Sequence, residues 1–125
     1  MNIPSNLLYA KTHEWAKKEG NKIYVGITDH AQHEITDIVH VELPEVGKKF
    51  KKNQPCAVVE SVKSAFDIYS PVSGTVVEIN DAVLSSPELI NQSPYEKGFF
   101  FAIELESEND LKDLMSAQDY ENSIK

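Results

Sequence analysis

The sequence has little cysteine and no long apolar run, and both shortages restrict what the protein can be. Among its 125 residues there is one cysteine, Cys56, which permits neither an internal disulfide nor a cysteine-rich metal site. The longest apolar stretch, residues 99–103, is far short of the roughly 18–20 residues that a membrane-spanning helix needs. Residues 1–10 also lack the basic start and apolar core of a signal peptide. We therefore expect a protein of a reducing compartment with no membrane partner.

Basic residues are also scarce. Twelve Lys and Arg residues face 20 Asp and Glu, so the formal net charge is −8. Such an acidic chain is a poor match for the phosphates of nucleic acids or of a membrane surface, and we expect neither as a partner. The one basic cluster is either a solvated strand or turn face, or a docking spot for an acidic partner patch; it comprises Lys48, Lys49, Lys51 and Lys52.

Length and composition predict one globular domain over residues 1–125, with a core at about 7–105 and helices at about 107–124. Alternation of apolar and polar residues predicts a mainly β protein. The predicted strands are 13–18, 22–28, 39–43, 56–61, 65–69, 74–79 and 99–105. In the third of these the apolar positions are Val39, Val41 and Leu43. Many short strands with turn signals between them are typical of a sandwich or barrel.

Short helices are predicted from capping residues. Asp29, with Gln32 three residues later, has the spacing of a capping box and predicts a helix over 30–34. Ser107 and Ser116 are each followed by an Asp three residues on, and predict a pair of short helices that form a C-terminal tail.

The usual signatures of enzymes and metal sites are weak. The chain has no glycine-rich phosphate-binding loop. His30 and His33 with Glu34 and Asp37 could form a metal cluster, but solvated His–acid pairs four residues apart are the simpler interpretation, and we expect no metal. Cys56 lies in an apolar strand and is better explained as a core residue than as a nucleophile. We therefore do not expect an enzyme.

Lys63 stands apart from the other lysines. It lies between two predicted strands, where a hairpin must turn, and it is the only basic residue between Lys52 and Lys97. Its neighbours Ser64 and Ala65 are small and leave the amine uncrowded. A lysine at a turn is often only a solubility residue, but a single projecting amine is also what a modifying enzyme needs, and acylation would turn it into a long neutral tether.

The residues around Lys63 carry a family resemblance. The segment Val59-Glu60-Ser61-Val62-Lys63-Ser64-Ala65, followed by residues 67–74, closely resembles the lipoyl-attachment region of the glycine cleavage system H-protein family. The resemblance extends over about residues 7–121 and includes the run Thr12-His13-Glu14-Trp15. Biotin carriers are disfavoured, since Val62 and Ser64 stand where methionines would be expected.

The resemblance implies a fold and a function. The fold is a barrel-sandwich hybrid: two small antiparallel sheets around a core, with Lys63 on a tight hairpin. The function is carriage, with lipoate bound covalently to Lys63. The implied partners are glycine decarboxylase (a pyridoxal-phosphate enzyme), a tetrahydrofolate-dependent aminomethyltransferase, dihydrolipoyl dehydrogenase, and a lipoate ligase or the lipoyl transferase and synthase. The protein would position the lipoyl group in the active sites of its partners, and the partners would supply the chemistry.

The resemblance also implies roles for further residues. The aminomethyl cargo is unstable in water and its amine is cationic, so a carboxylate in a cleft should hold it; the implied cleft residues are Glu14, Asp67, Thr12 and His13. Glu60 and Gly74 are implied in recognition by the lipoylating enzyme. Two residues depart from the family pattern: Phe99 stands in place of a common Trp, and Glu96 in place of a frequent Gly.

Two other functions are alternatives. One is a lipoyl relay that donates lipoate to 2-oxoacid dehydrogenases, and the other is a small hydrolase that uses Cys56 or a histidine. The expected location is the bacterial cytoplasm, or the mitochondrial matrix if the chain is a mature eukaryotic one.

Overall fold

A computed structural model describes residues 2–125. Met1 lies outside the described residues. It is part of the predicted domain over 1–125 and of residues 1–10, which were predicted not to be a signal peptide. The strands are β1 (Leu8–Tyr9), β2 (Glu14–Glu19), β3 (Lys22–Ile27), β4 (Ile38–Glu42), β5 (Lys49–Phe50), β6 (Pro55–Ser61), β7 (Ala65–Tyr69), β8 (Gly74–Ile79) and β9 (Phe101–Leu105). The helices are α1 (Asp29–Ile35), α2 (Ala82–Ser85), α3 (Glu88–Gln92), α4 (Asn109–Lys112) and α5 (Ala117–Ser123).

The strands form two antiparallel sheets, as the resemblance implied. One sheet has six strands in the order β1-β2-β3-β9-β8-β5, and the other has three in the order β4-β6-β7. Apolar side chains from both sheets pack into one cluster, which includes Ile23, Val59, Val76 and Phe101. None of the helices in residues 2–125 combines the length and the apolar character needed to traverse a bilayer.

A second, smaller apolar cluster ties both ends of the chain to the larger sheet. Leu7, Tyr9, Trp15 and Tyr120 are its buried members, so the C-terminal helix α5 contributes to the packed interior. Gly26 lies opposite Trp15 in the β2–β3 pair. A Cβ atom at Gly26 would come within 2.6 Å of the indole ring, which explains why this strand position has no side chain.

The structure corrects two local predictions. Val39 was predicted to point inward with Val41, but it is 53% exposed, because a bulge between Ile38 and His40 shifts the register of β4 against β6. The cap of α1 is Thr28 and not Asp29: the Thr28 hydroxyl accepts a hydrogen bond from the amide of Ala31.

Candidate functional site

Lys63 lies at the turn of the β6–β7 hairpin and is exposed. The turn is held by Ser61, whose Oγ accepts hydrogen bonds from the amides of Lys63 and Ser64, both at 3.2 Å. The Ser61 amide in turn donates to the carbonyl of Ser64 at 2.9 Å. No ion pair or hydrogen bond of the Lys63 ammonium occurs within residues 2–125. The amine is therefore presented to solvent on a hydrogen-bonded turn, as the sequence predicted.

Glu60 is half-buried on β6, directly across from His40 on β4 and from Ala65 on β7. His40 Nε2 lies 3.7 Å from Glu42 Oε2, and the ligand atoms of His40, Glu42 and Glu60 lie within 4.8 Å of one another. The cluster is different from the His30–His33–Glu34–Asp37 group considered in the sequence. Because His40 and Glu42 are exposed, the cluster is a solvated face of the small sheet.

Gly74 begins β8 in the six-stranded sheet, so it is not part of the sheet that carries Lys63. It is buried and pairs with Phe50 and Leu105. A Cβ atom here would overlap the backbone oxygen of Glu104. Close packing of β8 against β9 is thus a sufficient reason for glycine at this position, independent of recognition by any partner.

A cavity of about 220 Å³ opens between helix α1 and strand β7. Three of the predicted cleft residues line it, namely Thr12, His13 and Asp67. Asp67 lies four residues after Lys63 on the same hairpin, so the two Cα atoms are at most roughly 13 Å apart. The rest of the wall is formed by Ile27, His30, Ala31, Glu34, Ile35, Phe66 and Ile68.

Glu14, the fourth predicted cleft residue, lies behind the cavity wall. Its carboxylate is buried and accepts hydrogen bonds from the Thr12 hydroxyl and from the backbone amide of Tyr69, the latter at 3.1 Å. Because Glu14 belongs to the six-stranded sheet and Tyr69 to the three-stranded sheet, this carboxylate links the two. Burial raises the pKa of Glu14 to about 7, although both hydrogen bonds favour the charged form.

His13 occupies a turn between β1 and β2 with a backbone φ of 74°, in the left-handed region that is unusual for residues other than glycine. Its carbonyl accepts from the amide of Thr28 at 3.0 Å. Burial, reinforced by the neighbouring His30, lowers the pKa of His13, and the charge of Glu34 acts in the opposite direction. Nδ1 of His13 lies 2.7 Å from the hydroxyl of Tyr120, a residue that sequence reasoning did not associate with the site.

Cys56 is buried on β6, and its thiol donates to the carbonyl of Ile68 at 3.3 Å. Burial raises the pKa of this thiol to about 12, with a further contribution from Glu14. A nucleophilic cysteine needs an accessible thiolate, so the geometry supports the interpretation of Cys56 as a core residue.

The two departures from the family pattern lie near an aromatic groove on the larger sheet, lined in part by Trp15, Tyr95 and Glu96. Phe99 packs edge-on against Tyr24, with ring centroids 5.4 Å apart. An aromatic anchor is therefore retained at position 99, while Glu96 is an exposed charge that touches neither Lys63 nor the cavity beside α1.

Comparisons with known proteins show the family and the fold. The family model described as glycine cleavage H-protein matches residues 7–125. The glycine cleavage system H protein of Endomicrobium trichonymphae is 66% identical over 124 residues, covering 99% of this chain and all of that one. A glycine cleavage system H protein of Thermus thermophilus is 49% identical, covering 100% of this chain and 98% of the relative. The crystal structure of a glycine cleavage system H protein from Mycobacterium marinum superposes with a TM-score of 0.90 at 32% identity, over 98% of each chain.

Proposed function

The chain belongs to the glycine cleavage H-protein family, the lipoyl carriers of the glycine cleavage system, and we propose that Lys63 is its point of lipoate attachment. The observation that carries the proposal is the exposed amine of Lys63 on a turn fixed by Ser61. Its neighbours Val62 and Ser64 are exposed as well, so nothing in the described chain crowds a ligase that must reach the amine.

The bound lipoyl group supplies a dithiol that carries the aminomethyl unit from glycine decarboxylase to the aminomethyltransferase and then electrons to dihydrolipoyl dehydrogenase. The chain itself holds no pair of thiols, and its one thiol is buried, so this chemistry must be brought by the added group. We therefore propose a non-catalytic carrier, with those three enzymes and a lipoylating enzyme as partners. Because the relatives named above are bacterial, we propose the bacterial cytoplasm as its location.

The cavity beside α1 is the proposed shelter for the cargo, and we call it the arm cleft. Its wall includes Asp67, four residues beyond Lys63, a distance that a lysine side chain lengthened by an acyl chain can span. Asp67 offers a carboxylate at its wall, and Thr12 stands between the cleft and the carboxylate of Glu14. A cationic amine that displaces the exposed Thr12 hydroxyl gains a charge-assisted hydrogen bond to Glu14.

The attachment site is tested by expressing the chain with lipoate and a lipoylating enzyme and measuring intact mass. We expect a mass increase in the wild type and none in Lys63→Arg, which keeps the charge but removes the acylable amine. A mass increase of the same size in Lys63→Arg would refute the attachment site.

We propose that the lipoylating enzyme recognises Glu60, whereas Gly74, which the resemblance also implied in recognition, lies in β8 of the other sheet and is explained by packing alone. Glu60→Ala should slow lipoylation, because it removes a carboxylate three residues from the acceptor lysine. The matched control is Glu42→Ala, which removes an exposed carboxylate from the neighbouring strand. Equal rates for the two variants would contradict a specific role for Glu60. Gly74→Ala should be less stable, because its methyl group would meet the Glu104 backbone.

The alternative of a lipoyl relay makes no use of the arm cleft, since a protein that only hands on lipoate has no unstable cargo to shelter. Purified decarboxylase with labelled glycine and bicarbonate separates the two functions. Carbon exchange that depends on the lipoylated chain supports the glycine carrier, and its absence supports the relay.

A further inference from the structure

Helix α5 contacts the wall of the arm cleft through one buried side chain, Tyr120, which lies against His13. Its hydroxyl lies 2.7 Å from Nδ1 of His13 and 2.7 Å from Oγ1 of Thr28. The ring is fully buried and stacks on Tyr9 with centroids 4.8 Å apart, so packing fixes the position of the hydroxyl. The Tyr120 ring also meets the edge of the His13 ring, at a centroid distance of 5.7 Å.

Which atom donates in each of these hydrogen bonds can be worked out, because every buried hydroxyl proton needs an acceptor. Oγ1 of Thr28 accepts from the amide of Ala31 at 3.1 Å, and among residues 2–125 its other hydrogen-bond partner is the oxygen of Tyr120. Thr28 is fully buried, and an unpaired buried hydroxyl proton is unfavourable. The Thr28 hydroxyl therefore donates to Tyr120, and the Tyr120 hydroxyl donates to Nδ1 of His13.

We propose that Tyr120 is a positioning residue of the arm cleft, which holds His13 as the neutral tautomer with its proton on Nε2. Protonation at Nδ1 would turn that nitrogen into a donor, and Tyr120 would then have to donate to Thr28. The buried Thr28 proton would be left without an acceptor, so the hydrogen-bond row opposes the charged form of His13.

A neutral His13 suits the cargo that the proposed function assigns to the cleft, and the inference rests on that function. An imidazolium in the wall would repel a cationic amine, whereas the carboxylate of Asp67, and that of Glu14 when it is ionised, attracts it. The other ionisable groups around His13 are His30, whose ring centroid lies 4.9 Å away, and Glu34, both on α1. Glu34 favours the charged form of His13, whereas burial, the neighbouring His30 and the hydrogen bond from Tyr120 all favour the neutral form.

The first test measures the imidazole nitrogens of the unlipoylated protein by ¹⁵N NMR. In the wild type we expect Nδ1 of His13 to be unprotonated and Nε2 to carry the proton. Tyr120→Phe should mix the two tautomers and raise the pKa of His13, because it removes a donor that stabilises the neutral ring. The control is Tyr9→Phe, which changes the ring that stacks on Tyr120. It removes a hydroxyl that donates to the Pro4 carbonyl, and it should leave the His13 titration unchanged.

The second test measures the lifetime of the loaded carrier. Tyr120→Phe should release formaldehyde and ammonia up to about five-fold faster than Tyr9→Phe, because losing one buried hydrogen bond raises the charged fraction of His13 by about that factor and the charge repels the cationic amine. The difference should grow as the pH falls and His13 becomes protonated.

The inference is overturned if wild-type His13 carries its proton on Nδ1, or if the two Tyr variants show the same His13 titration. Failure of the proposed function shows elsewhere, as a wild-type Lys63 that does not accept lipoate.

Discussion

At the scale of single residues, Glu14 is the one charged side chain in residues 2–125 that is withdrawn almost completely from solvent. It accepts from donors on either side, one from the loop before β2 and one from β7. These two donors stabilise the charged carboxylate at the junction of the two sheets, whereas burial favours the protonated form. Because burial has the larger effect, the pKa of Glu14 is raised to about 7.

Replacing Glu14 tests whether its carboxylate protects the cargo. Glu14→Ala should leave lipoylation of Lys63 intact, because the attachment turn depends on Ser61 and not on Glu14. It should speed the loss of formaldehyde and ammonia from the loaded carrier, about five-fold or more, since a charge-assisted hydrogen bond to the amine is lost. The matched control is Glu19→Ala, which removes an exposed carboxylate at the far end of β2. Equal decay rates for these two variants would contradict the role of Glu14.

The raised pKa of Glu14 also predicts how stability depends on pH. Below about pH 4.5 the carboxyl group is protonated in both the folded and the unfolded chain and makes no difference. Between pH 4.5 and 7 the unfolded chain releases the proton while the folded chain retains it, so the free energy of unfolding falls as the pH rises. Glu14→Gln, which cannot ionise, should escape this loss.

Urea denaturation of wild type and Glu14→Gln from pH 4 to pH 8 measures the effect. We expect the stability difference to shift in favour of the glutamine variant by at most about 3 kcal/mol across this range. A constant difference would show that Glu14 ionises at its ordinary pKa in the folded chain.

The sequence was sufficient to predict that Lys63 lies at an exposed hairpin turn, but not that Ser61 holds this turn or that Tyr120 contacts the cleft wall. Lys63 could be singled out because it interrupts a long stretch without basic residues and has small neighbours. Tyr120 could not, because its bond to His13 joins positions 107 residues apart, and a tyrosine in a short terminal helix carries no local sign of such a contact.

Among the elements, the β6–β7 hairpin owes the shape of its turn to Ser61. Besides accepting from two amides, the Ser61 hydroxyl lies 3.4 Å from the carbonyl of Ser64. Ser61→Ala should loosen the turn and slow lipoylation several-fold, at a stability cost of about 1 kcal/mol. Ser64→Ala is the control, since none of the hydrogen bonds found in the described chain involves the Ser64 hydroxyl. Time courses of lipoylation by mass spectrometry should separate the two variants.

The elements that the sequence predicted are those with a regular pattern. The strand 65–69 and the strand 74–79 have the predicted bounds, and Ser116 caps α5 as its spacing indicated. The two-residue strands β1 and β5 and the helices α2 and α3 were not predicted, because they are too short to show a period and form through tertiary contacts. Exposure of Val39 could not be foreseen either, since a bulge depends on how two strands pair and not on either strand alone.

Over the whole molecule, charge is unevenly distributed. The residues from Glu88 onward carry three lysines and nine acids, 3 − 9 = −6 of the total of −8. In the basic cluster, Lys52 pairs with Asp113 at 2.5 Å, and Lys48 lies over the ring of Phe50. The exposed lysines of the cluster, Lys48, Lys49 and Lys51, therefore form a small cationic area on an acidic protein. Such an area suits an acidic partner surface.

The charge distribution predicts how the carrier meets a partner enzyme. Changing Lys48, Lys49 and Lys51 to glutamate should slow association with the decarboxylase at low salt, and the difference should shrink at high salt. Changing Lys11, Lys97 and Lys125 instead gives the same net charge of −8 − 6 = −14 and serves as the control. Stopped-flow rates at two ionic strengths distinguish a local docking area from a general effect of net charge.

The seclusion of Cys56 has a consequence for a protein that works through sulfur. A thiolate on the surface of such a carrier would attack the oxidised ring of its own swinging arm, or that of another copy, and trap it in a mixed disulfide. With its proton held against the Ile68 carbonyl and its pKa raised to about 12, the thiol of Cys56 is not available for that exchange. The chain therefore has no thiol that reacts with the group that it carries. Copies of the carrier can be oxidised and reduced repeatedly without forming disulfides to one another.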